Sequence, residues 1–264
     1  MKTNYHQHTT WCDGHDDAET MIRAAIDRGF DEIGFSSHAR LPDIEEGNLT
    51  PESAVRYAAE IRSLAAKYAS RISIRLGVEA DYIPHDTTPE KARYASLGLD
   101  YLIGSIHWVV APDGAHVPVD WSPERLVAGL KDHFNDDVEA YVRTYFAATR
   151  EMVAKFDFDI LGHPDLIRKF NGRLHYFDET ASWYREELRL TADAIAASGK
   201  IVEINTGAIA RGWMNDAYPS PEFRALLRAR GVPFILSSDA HAATAIDCAF
   251  DRFAPEAPLD HLPI

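Results

Sequence analysis

The sequence has 264 residues, of which 46% are apolar and 26% are charged, a composition typical of a globular protein with a sizeable core. Its formal charge of −14 argues against binding of a nucleic-acid polymer through the overall field, because phosphate backbones are bound chiefly by Lys and Arg. A local positive site would have to come from metal ions or a few arginines.

Targeting signals and cysteines set further limits. Only Cys12 and Cys248 occur, so no disulfide framework is indicated and a reducing compartment fits. The N-terminal residues are polar, and no run of about eighteen apolar residues occurs anywhere. We therefore expect a cytoplasmic protein without membrane association, and we interpret residues 1–264 as a single domain.

The first part of the chain alternates short apolar runs with helical patterns. Residues 3–5 read as a strand, and apolar residues spaced between Ala18 and Ile26 predict an amphipathic helix. Residues 31–35 predict a second strand. Thr50 and Pro51 have the residue types of an N-cap and a first helical position, so a long helix is expected to begin there.

Five more apolar runs predict strands in the rest of the chain, at residues 71–78, 99–106, 156–161, 200–204 and 232–236. Helical patterns lie at about 135–155, 178–198 and 220–230, whereas residues 116–118 and the tail from Pro255 read as loops. Seven strands, mostly separated by helices, are typical of parallel βα units. We expect a closed or distorted (β/α)7 barrel; the alternative, a doubly wound open sheet, lacks a glycine-rich phosphate loop after its first strand.

Six of the seven predicted strands end on residues that bind divalent metals: His6 with His8, His38, Glu79, His107, His163, and Asp239 with His241. All strand ends of a βα barrel face one mouth, so residues far apart in sequence would converge there. Histidines scattered over a surface would not select strand ends.

Taken singly, these residues are weaker evidence. An H-x-H pair on a strand places both imidazoles on one face, yet such a pair is more often coincidental than metal-binding. Asp13 and His15 also fit a turn and helix cap, and His107 or His163 alone would fit a satisfied core histidine. Glu79 at the end of a barrel strand is harder to explain, because a carboxylate there must be paired or bound to a cation.

As a set, the His, Asp and Glu residues suit Zn, Mn or Fe, and the scarcity of Cys argues against a structural zinc site. The other histidines lack this placement, and we interpret them as surface residues: His85, His116, His133, His175 and His261.

The order and spacing of these motifs resemble the polymerase and histidinol phosphatase (PHP) family over nearly the whole chain. The motifs are His6-x-His8, Asp13-Gly14-His15, Ser37-His38, Gly77-Val78-Glu79, Gly104-Ser105-Ile106-His107, Gly162-His163-Pro164-Asp165 and Ser238-Asp239-Ala240-His241. Within the family, the segments around Glu79 and His107 and the run from Gly162 to Phe170 resemble histidinol-phosphate phosphatases. The chain departs from the pattern after His241, where the closing helix is expected to be short or missing.

The resemblance implies a PHP-type barrel that holds two or three divalent metal ions. His6, His8, Glu79 and Asp239 would hold the first ion. Glu79 would bridge to a second ion that His107 and His163 bind. His15, His38 and His241 would hold a third ion.

The implied activity is hydrolysis of a small-molecule phosphate monoester, with L-histidinol phosphate as the expected substrate in histidine biosynthesis and nucleotides or another small ester as the alternative. Arg168 and Arg211 are candidates for binding the phosphate, because guanidinium matches its geometry with two parallel hydrogen bonds. Each could instead form a surface salt bridge. The leaving group would be protonated by Asp13 or by a metal-bound water. A non-catalytic metal-binding barrel is disfavoured by the complete ligand set, and an amidohydrolase-type barrel by the absence of a strand-end lysine.

Overall fold

A parallel sheet of seven strands forms the centre of the part of the chain that the computed structural model describes, residues 1–41 and 47–263. The strands pair in the order of the chain: β1 Thr3–Asn4, β2 Glu32–Phe35, β3 Ser73–Asp81, β4 Tyr101–Ser105, β7 Ile160–Leu161, β8 Ile201–Asn205 and β9 Phe234–Ser237. A separate antiparallel hairpin of β5 (Trp108–Val110) and β6 (His116–Pro118) follows β4.

The first and last strands of the sheet meet, which closes the barrel. The Asn4 side chain donates to Ser238 Oγ (2.7 Å) and accepts from the Ser238 backbone N–H (3.1 Å). Beyond the strand ends, Gln7 and Ala240 form a parallel bridge, and the His8 N–H donates to the Ala240 carbonyl (2.8 Å). The predicted distorted (β/α)7 barrel is confirmed.

Helices surround the sheet and bury their apolar faces against it. They are α1 Ala18–Asp27, α2 Pro51–Tyr68, α3 Pro123–Phe134, α4 Val138–Lys155, α5 Asn171–Leu174, α6 Ser182–Ser198, α7 Gly207–Ala210, α8 Pro221–Arg228 and α9 Phe250–Phe253. Side chains of Asp17, Thr50, Ser122 and Ser220 accept hydrogen bonds from backbone N–H groups in the first turns of α1, α2, α3 and α8, as N-caps do. No helix in the described ranges is long and apolar enough to cross a membrane.

The clearest differences from the sequence-based prediction are helix α3 and strand β6. Helix α3 was not predicted, although Ser122-Pro123-Glu124 has the same start pattern as Ser220-Pro221-Glu222. Residues 116–118, predicted as a loop, form β6, because Val117 is buried in the core and its backbone pairs with Val109.

Tyr101 fills the barrel interior and imposes glycine on two neighbouring strands. Its hydroxyl donates to the Tyr5 carbonyl (2.6 Å). A Cβ added at Gly34 would lie 2.4 Å from the Tyr101 hydroxyl oxygen, and one added at Gly77 would lie 2.3 Å from Cζ of the Tyr101 ring. Both distances are shorter than non-bonded contacts allow. These glycines make room for the ring, as strand glycines do where another group approaches closely.

The chain after His241 closes the end of the barrel opposite the strand carboxyl ends. Helix α9 has only four residues, which agrees with the expected short closing helix. Leu259 then pairs with Ile235 in β9. Leu262 packs against Tyr5 in the interior cluster, and its N–H donates to the Tyr5 hydroxyl (3.3 Å).

We predict that Gly77→Ala destabilises the protein by about 1–3 kcal/mol, the usual cost of overpacking a core. The reason is that the added methyl group must displace the Tyr101 ring. Chemical denaturation monitored by circular dichroism measures the change. Gly172→Ala is the matched control, since a Cβ there meets no atom within 4 Å; equal stabilities of the two variants would contradict the role given to Tyr101.

Candidate metal centre

The structure brings eight of the nine predicted metal ligands to one mouth of the barrel, at the carboxyl ends of the strands: His6, His8, His38, Glu79, His107, His163, Asp239 and His241. Each contributes a side-chain nitrogen or oxygen to at least one group of ligand atoms within 4.8 Å of one another. One detail differs from the prediction. Glu79 does not end its strand, because β3 continues to Asp81.

Glu79 lies at the centre of this cluster. Its side chain is 1% exposed, and its two carboxylate oxygens face five histidines, of which His8 places its Nε2 3.5 Å from Oε2. Oε2 lies 3.1 Å from both His6 Nε2 and His38 Nδ1. Oε1 lies 2.9 Å from His163 Nε2 and 3.6 Å from His107 Nε2. One carboxylate therefore faces two separate sets of imidazoles.

The electrostatics of Glu79 and His8 favour metal-binding forms of both side chains. Burial opposes ionisation of Glu79, but His6, His107 and His38 outweigh it and hold the pKa of its carboxyl well below the usual range. Burial, together with His241 and His38, lowers the pKa of His8 to about 3. The His8 imidazole is therefore neutral near pH 7, which is the form that ligates metals.

Asp239 lies between the first strand and an arginine. Its Oδ1 is 3.3 Å from His8 Nε2 and 3.7 Å from His6 Nε2, while its Oδ2 is 2.9 Å from Arg211 Nη2. Arg211 Nη1 also donates to the Asp239 carbonyl (3.1 Å) and lies 3.0 Å from His241 Nδ1. Arg211 thus holds two of the predicted ligands in place as well as lining the mouth.

Asp13 occupies the position that the resemblance gave to His15. Asp13 Oδ2 lies 3.1 Å from His241 Nε2, and its Oδ1 lies 3.5 Å from His8 Nδ1 and 3.7 Å from His38 Nε2. His15 is exposed at the rim of the cavity, and within the described residues its ring belongs to none of the ligand groups. The ligand group formed by His8, His38 and His241 therefore has a carboxylate, that of Asp13, as its fourth member.

Two carboxylates that the sequence-based prediction missed orient His6 and His107 through the ring nitrogens that face away from Glu79. Both oxygens of the buried Glu203 lie within 3.1 Å of His6 Nδ1, and Oε1 also accepts from the His163 backbone N–H (2.9 Å). Asp81 Oδ1 lies 2.8 Å from His107 Nδ1. Such carboxylates fix the tautomer and direction of a ligating imidazole. Alternation along the strands gave a signal, since Asp81 lies two residues beyond Glu79 on the same face.

Of the two arginines predicted to bind phosphate, Arg211 lines the cavity. Arg168 is not among the residues that line the cavity. Its Nε donates to Glu179 (2.6 Å), and its Nη1 faces the buried Asp165 (3.5 Å), so its guanidinium belongs to an internal ion pair. The next residue, Lys169, lines the cavity instead, and its Nζ contacts Asp120 Oδ2 at 2.9 Å.

The donor set fits divalent transition metals. His6 Nε2, His8 Nε2 and Glu79 Oε2 are buried, and in the part of the chain that the structure describes they have no hydrogen-bond partner of good geometry. Their separations, 3.1 and 3.5 Å, are close to the roughly 3.4 Å expected between two tetrahedral ligands that share one ion at about 2.1 Å. A buried polar atom without a partner is costly, and a shared cation removes that cost.

We predict that the purified protein contains at least two transition-metal ions per chain, because the ligand atoms exceed what one ion uses. Glu79→Gln keeps the shape of the side chain but removes the charge facing both histidine sets, so metal content and kcat should both collapse. Elemental analysis and steady-state kinetics measure these changes. Glu32→Gln, at a buried position remote from this cluster, is the matched control and should retain its metals. Fewer than one ion in the wild type, with no activity gained on adding metals, would refute the assignment.

Comparison with known proteins supports the same family. The model of the PHP domain matches residues 4–207. A relative from Deinococcus radiodurans, named "Probable histidinol-phosphatase", is 31% identical over 249 residues, which cover 89% of this chain and 85% of the relative. The structure of HisK from Listeria monocytogenes matches with a TM-score of 0.82 at 21% identity, covering 96% of this chain and all of the other.

A second solved structure is the histidinol phosphate phosphatase of Lactococcus lactis in complex with Zn, L-histidinol and phosphate. It matches with a TM-score of 0.66 at 19% identity and covers 97% of this chain and 93% of its own. The fold, the cluster at the barrel mouth and the match to the PHP domain over most of the chain lead to one conclusion: the protein belongs to the PHP family.

Proposed function

We propose that the protein is a metal-dependent phosphatase that hydrolyses L-histidinol phosphate to L-histidinol and phosphate, a reaction of histidine biosynthesis. The observation that carries this proposal is the buried carboxylate of Glu79 between two sets of imidazoles at the mouth of the barrel. The relative from Deinococcus radiodurans and the Lactococcus lactis complex support the substrate.

Two or three divalent ions, drawn from Zn, Mn and Fe, would be held by the cluster, and the zinc of the Lactococcus lactis structure supports zinc among them. His6, His8, Glu79 and Asp239 would hold the first ion. Glu79, His107 and His163 would hold the second. The third would take Asp13, His38 and His241, with His15 at the rim. When bound, such ions lower the pKa of a water molecule and offset the charge of the phosphoryl oxygens.

The chain itself supplies positioning and fixed charge. Glu203 and Asp81 hold His6 and His107 in one tautomer and direction. Arg211 fixes Asp239 and His241 while presenting a positive charge to the cavity. A phosphate monoester hydrolyses very slowly in water, so groups that hold it in place before reaction contribute directly to the rate.

Lys169 replaces Arg168 as the second candidate for phosphate binding, because its ammonium group reaches the cavity. Asp13 is a weaker candidate for the proton donor. Burial opposes its ionisation, but His38, His241 and His8 outweigh it and hold the pKa of its carboxyl below the usual range. A carboxylate with this environment is better suited to binding a cation than to protonating the leaving group.

Three earlier expectations stay predictions. They are the assignment of residues 1–264 to one domain, the cytoplasmic location, and the absence of a nucleic-acid polymer or a membrane among the partners. A nucleotide or another small phosphate ester remains the alternative substrate, and kinetics decide between them.

We predict that kcat/KM for L-histidinol phosphate exceeds the values for p-nitrophenyl phosphate and for nucleotides. Phosphate release from this panel, measured with Mn, Zn and Fe in turn, provides the comparison. A preference for nucleotides would change the substrate while leaving the family and the metal centre intact. No hydrolysis of any ester by metal-loaded protein would overturn the proposed activity.

We predict that substitutions at two adjacent residues affect different properties, one the kinetics and the other the stability. Lys169→Met should lower kcat/KM by about 10- to 1000-fold with metal content unchanged, on the scale of a lost charged hydrogen bond together with transition-state stabilisation. Arg168→Met should instead lower the melting temperature, because it leaves the buried Asp165 without its cation. Kinetics, calorimetry and elemental analysis of both variants separate the two effects. Unchanged kinetics in Lys169→Met would refute its contact with phosphate.

A further inference from the structure

The two carboxylate oxygens of Glu79 have different surroundings. The buried Ser105 hydroxyl donates to Oε1 (2.6 Å). A carboxylate oxygen has two lone pairs, so Oε1 has one left for a cation on the side of His107 and His163. Oε2 faces His6, and among the described residues it has no hydrogen-bond partner of good geometry. Both lone pairs of Oε2 are therefore available to cations.

The imidazoles on the two sides of Glu79 are also held differently. His6 Nδ1 lies within 3.1 Å of both oxygens of the buried Glu203, which fixes the ring and makes its other nitrogen a stronger ligand. On the Oε1 side, only one of the two histidines has a carboxylate behind it. The other, His163, has a buried Nδ1 with no hydrogen-bond partner in the part of the chain that the structure describes. A cation on the Oε2 side thus meets the better oriented imidazole.

Access to solvent follows the same division. His107 and His163 line the cavity at the barrel mouth, and the His107 side chain is 13% exposed. The side chains of His6 and His8 are fully buried and lie outside this lining. The first ion of the proposed centre has four protein ligands, whereas the second has three. The second ion therefore has fewer ligands and a shorter path to the solvent.

The hydroxyl that contacts Oε1 has little freedom to move away. Ser105 ends β4, and its backbone carbonyl accepts from the Tyr82 N–H (2.9 Å). A Cβ added at Gly162 would lie 2.3 Å from Ser105 Oγ. The hydroxyl therefore fits only because the residue beside it is glycine. Ser105 thereby fixes the rotation of the Glu79 carboxylate.

We propose that the two ion sites beside Glu79 differ in affinity and that Ser105 is a positioning residue for the weaker one. The first ion, on the Oε2 side, stays bound, whereas the second ion, on the Oε1 side, exchanges with the solution. The inference rests on the proposed function and deepens it, because the rate of hydrolysis then follows the concentration of free divalent metal.

Metal retention tests the difference in affinity without any substrate. Zinc-loaded protein is dialysed against increasing concentrations of a chelator, and elemental analysis should find about one ion per chain retained where the others are removed. Zinc is then added back in a calorimeter. His163→Ala should keep the retained ion and lose one binding step, which assigns that step to the second site. Loss of all ions at one chelator concentration, or loss of the retained ion in His163→Ala, would overturn the proposal.

Ser105→Ala should weaken the step assigned to the second site by about 10- to 100-fold, the usual effect of removing a group that orients a metal ligand. The retained ion should stay bound, and the free zinc concentration that gives half the maximal rate should rise by the same factor. Gly162→Ala, which displaces the hydroxyl, should have the same effect. An unchanged binding step in Ser105→Ala would refute the role of this residue.

Ser73→Ala is the matched control. The Ser73 hydroxyl donates to Glu32 Oε2 (2.7 Å), which is the same kind of hydrogen bond at a position remote from the cavity. This variant should change neither the retained ion nor the binding steps. Melting temperatures of all variants show that they are folded, and a merely structural role of Ser105 would lower this temperature without selecting one binding step.

Metal binding and hydrolysis separate this proposal from the proposed function. Two classes of affinity that respond to Ser105→Ala, without hydrolysis of L-histidinol phosphate, would support the difference between the sites and overturn the proposed substrate. Hydrolysis by protein that binds all its ions with one affinity would overturn the difference between the sites and leave the proposed function intact.

Discussion

A buried negative charge on Glu79 is the constraint around which the site is organised. A carboxylate with 1% exposure would be expensive in a protein interior without compensating cations. The Ser105 hydroxyl donates to its Oε1 (2.6 Å), but its titratable neighbours are imidazoles rather than lysine or arginine. Imidazoles compensate the charge fully only when they are protonated or when cations lie between them and the carboxylate. The metal centre is therefore part of the folding energetics of this end of the barrel as well as of its chemistry.

The two ends of the barrel have different roles: one stabilises the fold, and the other holds the candidate site. Around Tyr101, apolar side chains and two glycines form a close-packed layer. At the mouth, carboxylates and imidazoles approach within about 3 Å of one another. The rigid layer below holds the strands that position Glu79 and Glu203, so a site that is unfavourable by itself rests on a scaffold that is favourable.

The sequence predicted those parts of the molecule that depend on strand periodicity. Strand ends identify the cluster because parallel βα units bring them together, whatever the loops do. Arg168 and Lys169 show what strand periodicity cannot predict. They are adjacent, and the direction of each side chain depends on a 3-10 turn at Leu166–Arg168 that no periodicity encodes. Glu203 was missed for another reason: a carboxylate in the middle of a strand is recognisable as a partner of His6 only when the barrel is closed.

The same limit applies to Asp13 and His15, since both lie on a loop where backbone turns decide which side chain faces inward. The His15 N–H donates to the His241 carbonyl (2.7 Å), which fixes the backbone and leaves the imidazole at the rim. Tertiary contacts, and not spacing in the motif, place the carboxylate of Asp13 beside His241.

The C-terminal tail determines by which route substrate and products reach and leave the cavity. Leu262 and Tyr5 seal the floor, and the Tyr101 ring fills the space above them. The cavity is therefore closed at this end, so the ester enters, and the alcohol and inorganic phosphate leave, through the barrel mouth. Both products leave by the route through which the next ester arrives, so inorganic phosphate that stayed in the cavity would inhibit competitively.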